Sequence, residues 1–290
     1  MEWYFFAFVS AILVSIVSIL NKKILTHEHA LEFSASRGIL VFILSLFLIP
    51  FVNFNMPWNI YLFIYLVSLM VSAGMIFYFK GMRHGDLSEV APLMNISPLF
   101  LLIIAFFVLG ENPTSKQYFG VFLLILGAYS LEVGVANKGF LEPIRMFLKS
   151  KVIHNLLFAM IIFSIGATFD KLIITKHTDF LTYFFLFSVF KTFNFIFLET
   201  YNNGFSEIVK DLRKDFKILF IDAIVGFFAH LFYLIAVSMP TAAISLIIPI
   251  KRTSNLFTTI LGGKLFHEQN LLVKILACII MIWGVVFVLL

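Results

Sequence analysis

The chain has one cysteine and few charged residues. Cys278 is the only cysteine among 290 residues, so no intramolecular disulfide can form. Charged residues make up 13% of the chain and hydrophobic residues 61%, with a mean hydropathy of +1.02. A water-soluble domain of this length cannot cover so much apolar surface. The composition therefore excludes that class and predicts a membrane protein.

Signatures of soluble enzymes are also missing. The segments 27–29 and 267–268 do not extend to HExxH, because Leu31 and Leu271 occupy the positions of the second histidine. No glycine-rich phosphate loop, GxSxG motif or cysteine cluster occurs. We therefore predict a protein that is not an enzyme, with no catalytic residues, no metal and no cofactor. The net charge of +5 comes mostly from loops and predicts no nucleic-acid partner.

Long apolar runs replace these motifs. A membrane-spanning helix needs about 20 mostly apolar residues, and continuous runs without period-two alternation argue against a β-barrel. The first run has no basic segment before it and no cleavage site after it, so we interpret it as a span and not a signal peptide. The runs predict ten spans, at 3–21, 33–51, 58–80, 87–109, 115–135, 152–174, 180–200, 217–238, 241–262 and 269–289.

The two halves of the chain repeat each other. A shift of 157 positions aligns Ser88 with Ser245, Pro92 with Pro249, Ser97 with Ser254, Glu111 with Glu268 and Gly127 with Gly284. We predict a repeat at 1–135, a basic linker or short interfacial helix at 136–151, and a second repeat at 152–290. A unit with five spans inverts in its second copy. The fold class is therefore an all-α membrane protein whose two inverted five-helix repeats surround a central cavity, as in many secondary transporters.

The distribution of basic residues predicts an orientation. Three Lys or Arg residues lie on the side of the even-numbered connections, at Lys116, Lys171 and Lys176. The odd-numbered connections carry thirteen, at Lys22, Lys23, Lys80, Arg83, Lys138, Arg145, Lys149, Lys151, Lys210, Arg213, Lys214, Lys217 and Lys264. The positive-inside rule then places those connections in the cytoplasm and both termini outside, in a multi-pass protein of the cell (inner) membrane.

Lys251 and Arg252 are the most informative polar residues, because they lie near the centre of the ninth predicted span. An ionised side chain there costs about 2.5–3.5 kcal/mol. Either the pair faces a cavity and binds an anionic group of a substrate, or a buried acid neutralises it. The candidate acids are Asp222, Glu132 and Glu199.

Further polar residues and prolines interrupt other spans. Pro92 and Pro249 occupy matched positions and predict two weakened helices near the centre, although a simple packing kink is the alternative. His230 and Tyr233, one turn apart, are candidates to line the cavity. Arg37, Lys191 and Asp222 are candidates for a gate or for structural ion pairs.

Four polar positions are expected at the membrane surface. Asn21 and Asp170 each precede a lysine at matching ends of the first and sixth spans, which indicates caps or gate salt bridges instead of substrate contacts. Glu111 and Glu268 lie just before the next helix. An acid there complements the positive end of that helix dipole, so we interpret both as structural.

The matched segments resemble the EamA-type transporters of the drug/metabolite transporter superfamily. The resemblance rests on Ala91-Pro92-Leu93, Ser97-Pro98-Leu99, Leu109-Gly110-Glu111, Gly120, Gly127, Ala242–Ser245, Ile248-Pro249, Phe266–Glu268 and Gly284. It implies a ten-helix fold, a central cavity, alternating access and cytoplasmic termini, the last opposite to the charge count. The Lys251-Arg252 pair also resembles the phosphate-binding pair of the triose-phosphate translocators, whose additional first-half lysine has no counterpart at Met94-Asn95.

These observations lead to one principal hypothesis and two alternatives. We predict a secondary transporter of a small anionic or zwitterionic metabolite, which Lys251 and Arg252 bind while Asn95, Ser254, His230 and Tyr233 shape the cavity. The alternatives are an exporter of neutral amino acids or cationic drugs and a non-transporting membrane protein. The predicted partners are the lipid bilayer and a small-molecule substrate, in a monomer or homodimer.

Overall fold

The described part of the protein is helical and contains no β-strand. A computed structural model describes residues 2–85, 90, 94–112, 114–136, 150–265 and 271–289. In the first half the helices are α1 (Trp3–Leu25), α2 (Ala30–Ser45, continued by a 3-10 segment Leu46–Phe51), α3 (Trp58–His84), a 3-10 turn (Met94–Ile96), α4 (Ser97–Leu109) and α5 (Ser115–Ala136).

The described part of the second half contains seven helices. Its helices are α6 (Lys151–Lys176), α7 (Phe180–Asn203), α8 (Phe205–Lys214), α9 (Phe216–Ser238), α10 (Ile244–Arg252), α11 (Ser254–Leu265) and α12 (Leu271–Leu289). The predicted linker falls mostly at 137–149, outside the described residues, as do Pro92, Glu268 and the side chains of Asn95 and Glu132.

Among the described residues, six helices are long and apolar enough to cross a membrane: Trp3–Leu25, Ala30–Phe51, Trp58–His84, Lys151–Lys176, Phe180–Asn203 and Phe216–Ser238. Two further apolar helices are shorter, at Ser97–Leu109 and Ile275–Phe287. Large apolar side chains such as Phe47, Phe107 and Trp58 point outward and are mostly exposed. A surface of this kind suits lipid instead of water, which agrees with the prediction of a membrane protein.

The ninth predicted span is broken, but not at its proline. Pro249 lies inside α10, and the helix is interrupted at Thr253, four residues later, before α11 begins at Ser254. The expected weak point is therefore displaced toward Lys251 and Arg252. These two cations form the last turn of α10, where the negative end of the helix dipole favours positive charge.

The helix that the apolar runs did not predict is α8. It is short and amphipathic: Ile208 and Leu212 pack against Ala35 and Phe195 of α2 and α7, whereas Arg213 and Lys214 face outward. It lies between the long apolar helices α7 and α9, so we treat it as an element outside the spans.

Helices of the first half pack mainly against helices of the second half. α1 packs against α9, α3 against α6, α2 against α7 and α5 against α12. The buried side chains of these interfaces include Phe33, Phe79 and Tyr183 and form one continuous core. This packing leaves a cavity in the middle of the bundle.

Candidate functional site

The central cavity has a volume of about 280 Å³ and is lined by residues of α1–α4, α6, α7, α9 and α10. That volume lies near the lower end of the roughly 300–1,000 Å³ typical of small-molecule sites. Of the residues predicted to bind a substrate, Lys251, Arg252, His230 and Tyr233 line it. Ser254 is buried at the start of α11 and is not among the lining residues.

Lys251 and Arg252 are held at the cavity by uncharged groups. The ammonium of Lys251 lies 3.9 Å from the centroid of the Tyr233 ring, a cation–π contact. The guanidinium Nε of Arg252 donates to Ser97 Oγ at 2.9 Å. Neither residue takes part in a salt bridge within the described residues. Among the described side chains, neither Asp222 nor Glu199 pairs with them directly, and the third candidate, Glu132, lies outside that set.

Lys191 and His230 extend this charged region. Lys191 Nζ lies 5.4 Å from the centroid of the Phe187 ring. The His230 imidazole packs beside Phe184 and Phe187, with ring centroids 5.1 and 5.8 Å away. Its Nε2 is buried and finds no hydrogen-bond partner in the described part of the chain. A buried donor or acceptor without a partner is costly, so a bound ligand would relieve that cost.

Arg37 and Asp222 form an ion pair between α2 and α9. Arg37 Nε donates to Asp222 Oδ2 at 2.5 Å, and the Asp222 side chain is fully buried. With its amide oriented as its neighbours require, Asn21 donates to Asp222 Oδ1 at 3.0 Å. Gly226 makes the pair possible, because a Cβ there would lie 2.2 Å from Arg37 Nη2. Arg37 lines the cavity and does not snorkel at a helix end.

Asp170 corrects another expectation. It lies inside the bundle, lines the cavity and accepts hydrogen bonds from the hydroxyls of Tyr183 and Tyr233, the latter at 3.0 Å. Asn21 also lines the cavity. Within the pairs Asn21-Lys22 and Asp170-Lys171, the lysines act as the expected caps: Lys22 and Lys171 each donate to two backbone carbonyls at the end of another helix.

Glu111 caps a helix, but not the one expected. Its carboxylate oxygens accept from the backbone amides of Ile244 and Ser245, at 2.9 and 3.1 Å, at the start of α10. As expected, this acid lies at the positive N-terminal end of a helix dipole, where a negative charge is stabilised. The helix in question is distant in sequence and carries Lys251 and Arg252, so Glu111 positions the charged end of the cavity.

The cavity has an excess of positive charge. Four basic side chains line it, Arg37, Lys191, Lys251 and Arg252, while the described acids at or next to it are Asp170 and Asp222. With standard ionisation, two positive charges remain uncompensated. Such an excess in an apolar bundle favours a negatively charged ligand.

A second polar cluster lies at the end of the bundle, outside the spans. His27, Glu28 and Asp215 bring potential ligand atoms within 4.8 Å of one another. Those atoms already have partners: His27 Nε2 bonds Asp215 at 2.7 Å, and Glu28 bonds Lys214. We interpret this cluster as a salt-bridge network that attaches α8 to the α1–α2 turn.

Asp211 on α8 faces the same network. Its side chain is buried, and both carboxylate oxygens lack a hydrogen-bond partner among the described residues. Burial raises the pKa of Asp211 to about 7, and the neighbouring carboxylates of Glu28 and Glu32 act in the same direction.

A family model matches the first half of the chain. Residues 1–132 match the family model described as the EamA-like transporter family. The predicted resemblance is confirmed there. A multi-pass integral membrane protein follows from this match and from the apolar helices.

Two curated relatives carry transporter names. An "uncharacterized transporter" of Sinorhizobium sp. is 32% identical over 79 residues, covering 27% of this chain and 56% of the relative. Another, of Synechocystis sp., is 30% identical over 61 residues, covering 21% and 18% respectively. The matched segments thus span less than two thirds of either relative. These names and the family support a transporter and not an enzyme.

A solved structure shares the fold over the whole chain. It is described as "Crystal structure of protein" and superposes with a TM-score of 0.70 at 13% sequence identity. The superposition covers 99% of this chain and 98% of the solved chain. At that identity the likeness concerns the fold alone.

Proposed function

We propose that the protein is a secondary transporter that moves a small organic anion or zwitterion across the membrane by alternating access. The proposal rests on the basic residues that line the central cavity. Among the described residues, no carboxylate lies within salt-bridge distance of Lys191, Lys251 or Arg252. A substrate carboxylate or phosphate would supply the compensating charge.

The packing supports a ten-span architecture with two inverted repeats. The proposed spans are α1, α2, α3, α4 and α5, then α6, α7, α9, α10–α11 and α12. In this order α1 corresponds to α6, α2 to α7, α3 to α9 and α5 to α12. Exchanging corresponding helices converts the contact between α1 and α9 into the contact between α6 and α3. The contacts between α2 and α7 and between α5 and α12 are each converted into themselves. The exchange also maps α4–α6 onto the contact between α10–α11 and α1. Both members of each pair occur, as an approximate twofold axis requires.

Hydrogen bonds repeat the same symmetry. Lys22 Nζ, near the end of α1, donates to the carbonyls of Met82 and Gly85 at 2.8 and 2.7 Å. Lys171 Nζ, near the end of α6, donates to those of Val237 and Met239 at 2.7 and 2.9 Å. Equivalent lysines thus fix equivalent helix ends. Five-span units related in this way support rocking of the halves around a central site.

Asp170 favours a zwitterion as the second candidate. It is the one described acid that lines the cavity, and its electrostatic field reaches Lys251 and Lys191. An amino acid could place its carboxylate at the cations and its ammonium at Asp170. A purely cationic substrate is disfavoured, because four basic side chains would repel it.

A panel of ligands that differ in charge tests the proposal. Protein in lipid nanodiscs is heated with carboxylates, organic phosphates, amino acids and organic amines. A ligand that binds only the folded state stabilises it by about 2.7 kcal/mol at 100 times its Kd. We expect stabilisation by acids or zwitterions and not by amines. The double variant Lys251→Ala/Arg252→Ala should lose it, and Lys210→Ala, on exposed α8, should keep it.

The same ligands are then tested as counterflow substrates in proteoliposomes. We expect transport to fall at least about tenfold in the double variant, since one charge-assisted contact contributes roughly 1.5–3 kcal/mol. The proposal is contradicted if the double variant folds and transports as the wild type does. It is also contradicted if amines alone stabilise the wild-type protein.

A further inference from the structure

Most charged residues at the cavity come from the second half of the chain, whereas the first half contributes an apolar patch beside the uncharged polar residues Ser18, Asn21, Tyr78 and Ser97. We define the apolar wall as Val14, Val17, Val41, Val71, Met75 and Leu101, all from α1–α4. We define the charged wall as Asp170, Lys191, His230, Tyr233, Lys251 and Arg252, all from α6, α7, α9 and α10. Arg37 is the remaining charge of the first half at the cavity, and Asp222 already pairs with it.

The apolar wall belongs to the cavity and not to the lipid face. Val17 and Leu101 are buried and Val71 is half-buried, although all three line the cavity. On the same helix as Val71, Leu66 and Leu69 are exposed on the outer surface. The helix α3 therefore presents one apolar face to lipid and another to the ligand space.

A ligand that fills the cavity contacts both the apolar wall and the charged wall. A polyol phosphate would place hydroxyl groups against valine, methionine and leucine, where they lose hydrogen bonds to water without replacement. An alkyl or aryl group would instead remove apolar surface from water, which is favourable in proportion to the area buried. The head group of such a ligand still reaches the charged wall.

We infer that the transported anion is an amphiphilic organic acid, with one acidic head group on the charged wall and a compact apolar body against the apolar wall. The inference rests on the proposed function and narrows its substrate class. We expect sugar phosphates and short dicarboxylates to bind less tightly than acids with an apolar body. The head group faces Lys191, Lys251 and Arg252, and the body lies among α1–α4.

A homologous series of acids tests the apolar body. Binding of acetate, butanoate, hexanoate and phenylacetate to the full chain in nanodiscs is measured by calorimetry, with succinate and glycerol 3-phosphate beside them. Empty nanodiscs correct for partition into lipid. We expect affinity to rise about fourfold with each added methylene until the cavity is filled. The inference is overturned if affinity does not change with chain length. It is also overturned if succinate or glycerol 3-phosphate binds more tightly than hexanoate.

Matched variants locate the apolar body. Val71→Ala and Met75→Ala should reduce the preference for hexanoate over acetate, because each removes apolar surface at the cavity. Leu69→Ala, on the lipid face of the same helix, is the control and should retain the wild-type preference. If one variant fails to fold, the other still decides the outcome. An unchanged preference in folded Val71→Ala and Met75→Ala contradicts the inference.

The two proposals fail differently. If Lys251→Ala weakens every acid while the series stays flat, an anion site exists but the apolar body is wrong. If Lys251→Ala/Arg252→Ala binds every acid as the wild type does, the anion site itself is wrong and the proposed function falls.

Discussion

The two halves of the protein make comparable helix contacts but differ at the cavity. Lys22 near the end of α1 and Lys171 near the end of α6 each donate to backbone carbonyls, and Ser97 and Ser254 begin the helices α4 and α11. The charges do not follow this symmetry: Lys251 and Arg252 lie where the first half has Met94 and Asn95. In the proposed repeat the scaffold contacts are matched, whereas Lys251 and Arg252 belong to the second half alone. That difference makes it possible to test scaffold and site separately.

The largest effect is expected where the halves meet through Arg37. Removing this guanidinium leaves the carboxylate of Asp222 buried without its ion-pair partner, which costs about 3–5 kcal/mol. Arg37→Ala should therefore lower the free energy of unfolding by about that amount in nanodiscs. Arg37→Ala/Asp222→Ala should recover much of the loss. A double variant no more stable than Arg37→Ala contradicts this role of the pair.

A smaller effect is expected at Gly226, which lets Arg37 lie against α9. The added methyl of Gly226→Ala would clash with Arg37 Nη2 and displace the guanidinium from Asp222. We expect a loss of about 1–3 kcal/mol in thermal unfolding. The same substitution in an Arg37→Ala background should cost much less. Equal losses in both backgrounds would exclude the clash as the cause.

The scaffold symmetry predicts matched effects for the paired lysines. Lys22→Met and Lys171→Met each remove a donor to two backbone carbonyls, so each should cost about 1–3 kcal/mol. The two losses should agree within about 1 kcal/mol, with the charged wall intact and ligand affinity little changed. If Lys22→Met and Lys171→Met lower the free energy of unfolding by strongly unequal amounts, the two lysines do not play equivalent roles.

A separate effect concerns pH and lies away from the cavity. The folded pKa of Asp211, about 7, exceeds its ordinary value near 3.8, so the folded state binds an extra proton between these values. The contribution of Asp211 to stability is thus greatest at low pH and is lost as pH rises toward 7. Glu28, Glu32, Lys214 and Asp215 share this environment.

Asp211→Asn should flatten that pH dependence. We expect the variant to gain stability relative to wild type at pH 8 but not at pH 4, measured by thermal unfolding with a chelator present. Glu207→Gln, an exposed acid of the same helix, is the matched control. If both variants show the same pH profile, the burial of Asp211 does not govern the effect.

Apolar length and composition were sufficient to predict the membrane class and the approximate positions of the helices. They also indicated Lys251 and Arg252, because ionised residues inside an apolar run are costly wherever the chain folds. The 205–214 helix was missed because its pattern is amphipathic and short, and its partners Ala35 and Phe195 are remote in sequence.

The contacts of individual polar residues could not be predicted for the same reason. The Arg37–Asp222 pair joins positions 185 apart, and Glu111 caps a helix that begins 133 residues later. Asp170 looked like a surface cap from its place near the end of a span. Its burial follows from the packing of α6 against α7 and α9, which local sequence does not specify.

The proposed acid binds with its head group at the charged wall and its body at the apolar wall. The direct measurement is a crystal structure with 6-bromohexanoate, using anomalous scattering to locate bromine. We predict the carboxylate within hydrogen-bond distance of Lys251 or Arg252, and bromine among Val17, Val71 and Met75. Bromine at the cations, or bound acid only on the lipid-facing surface, would contradict the account.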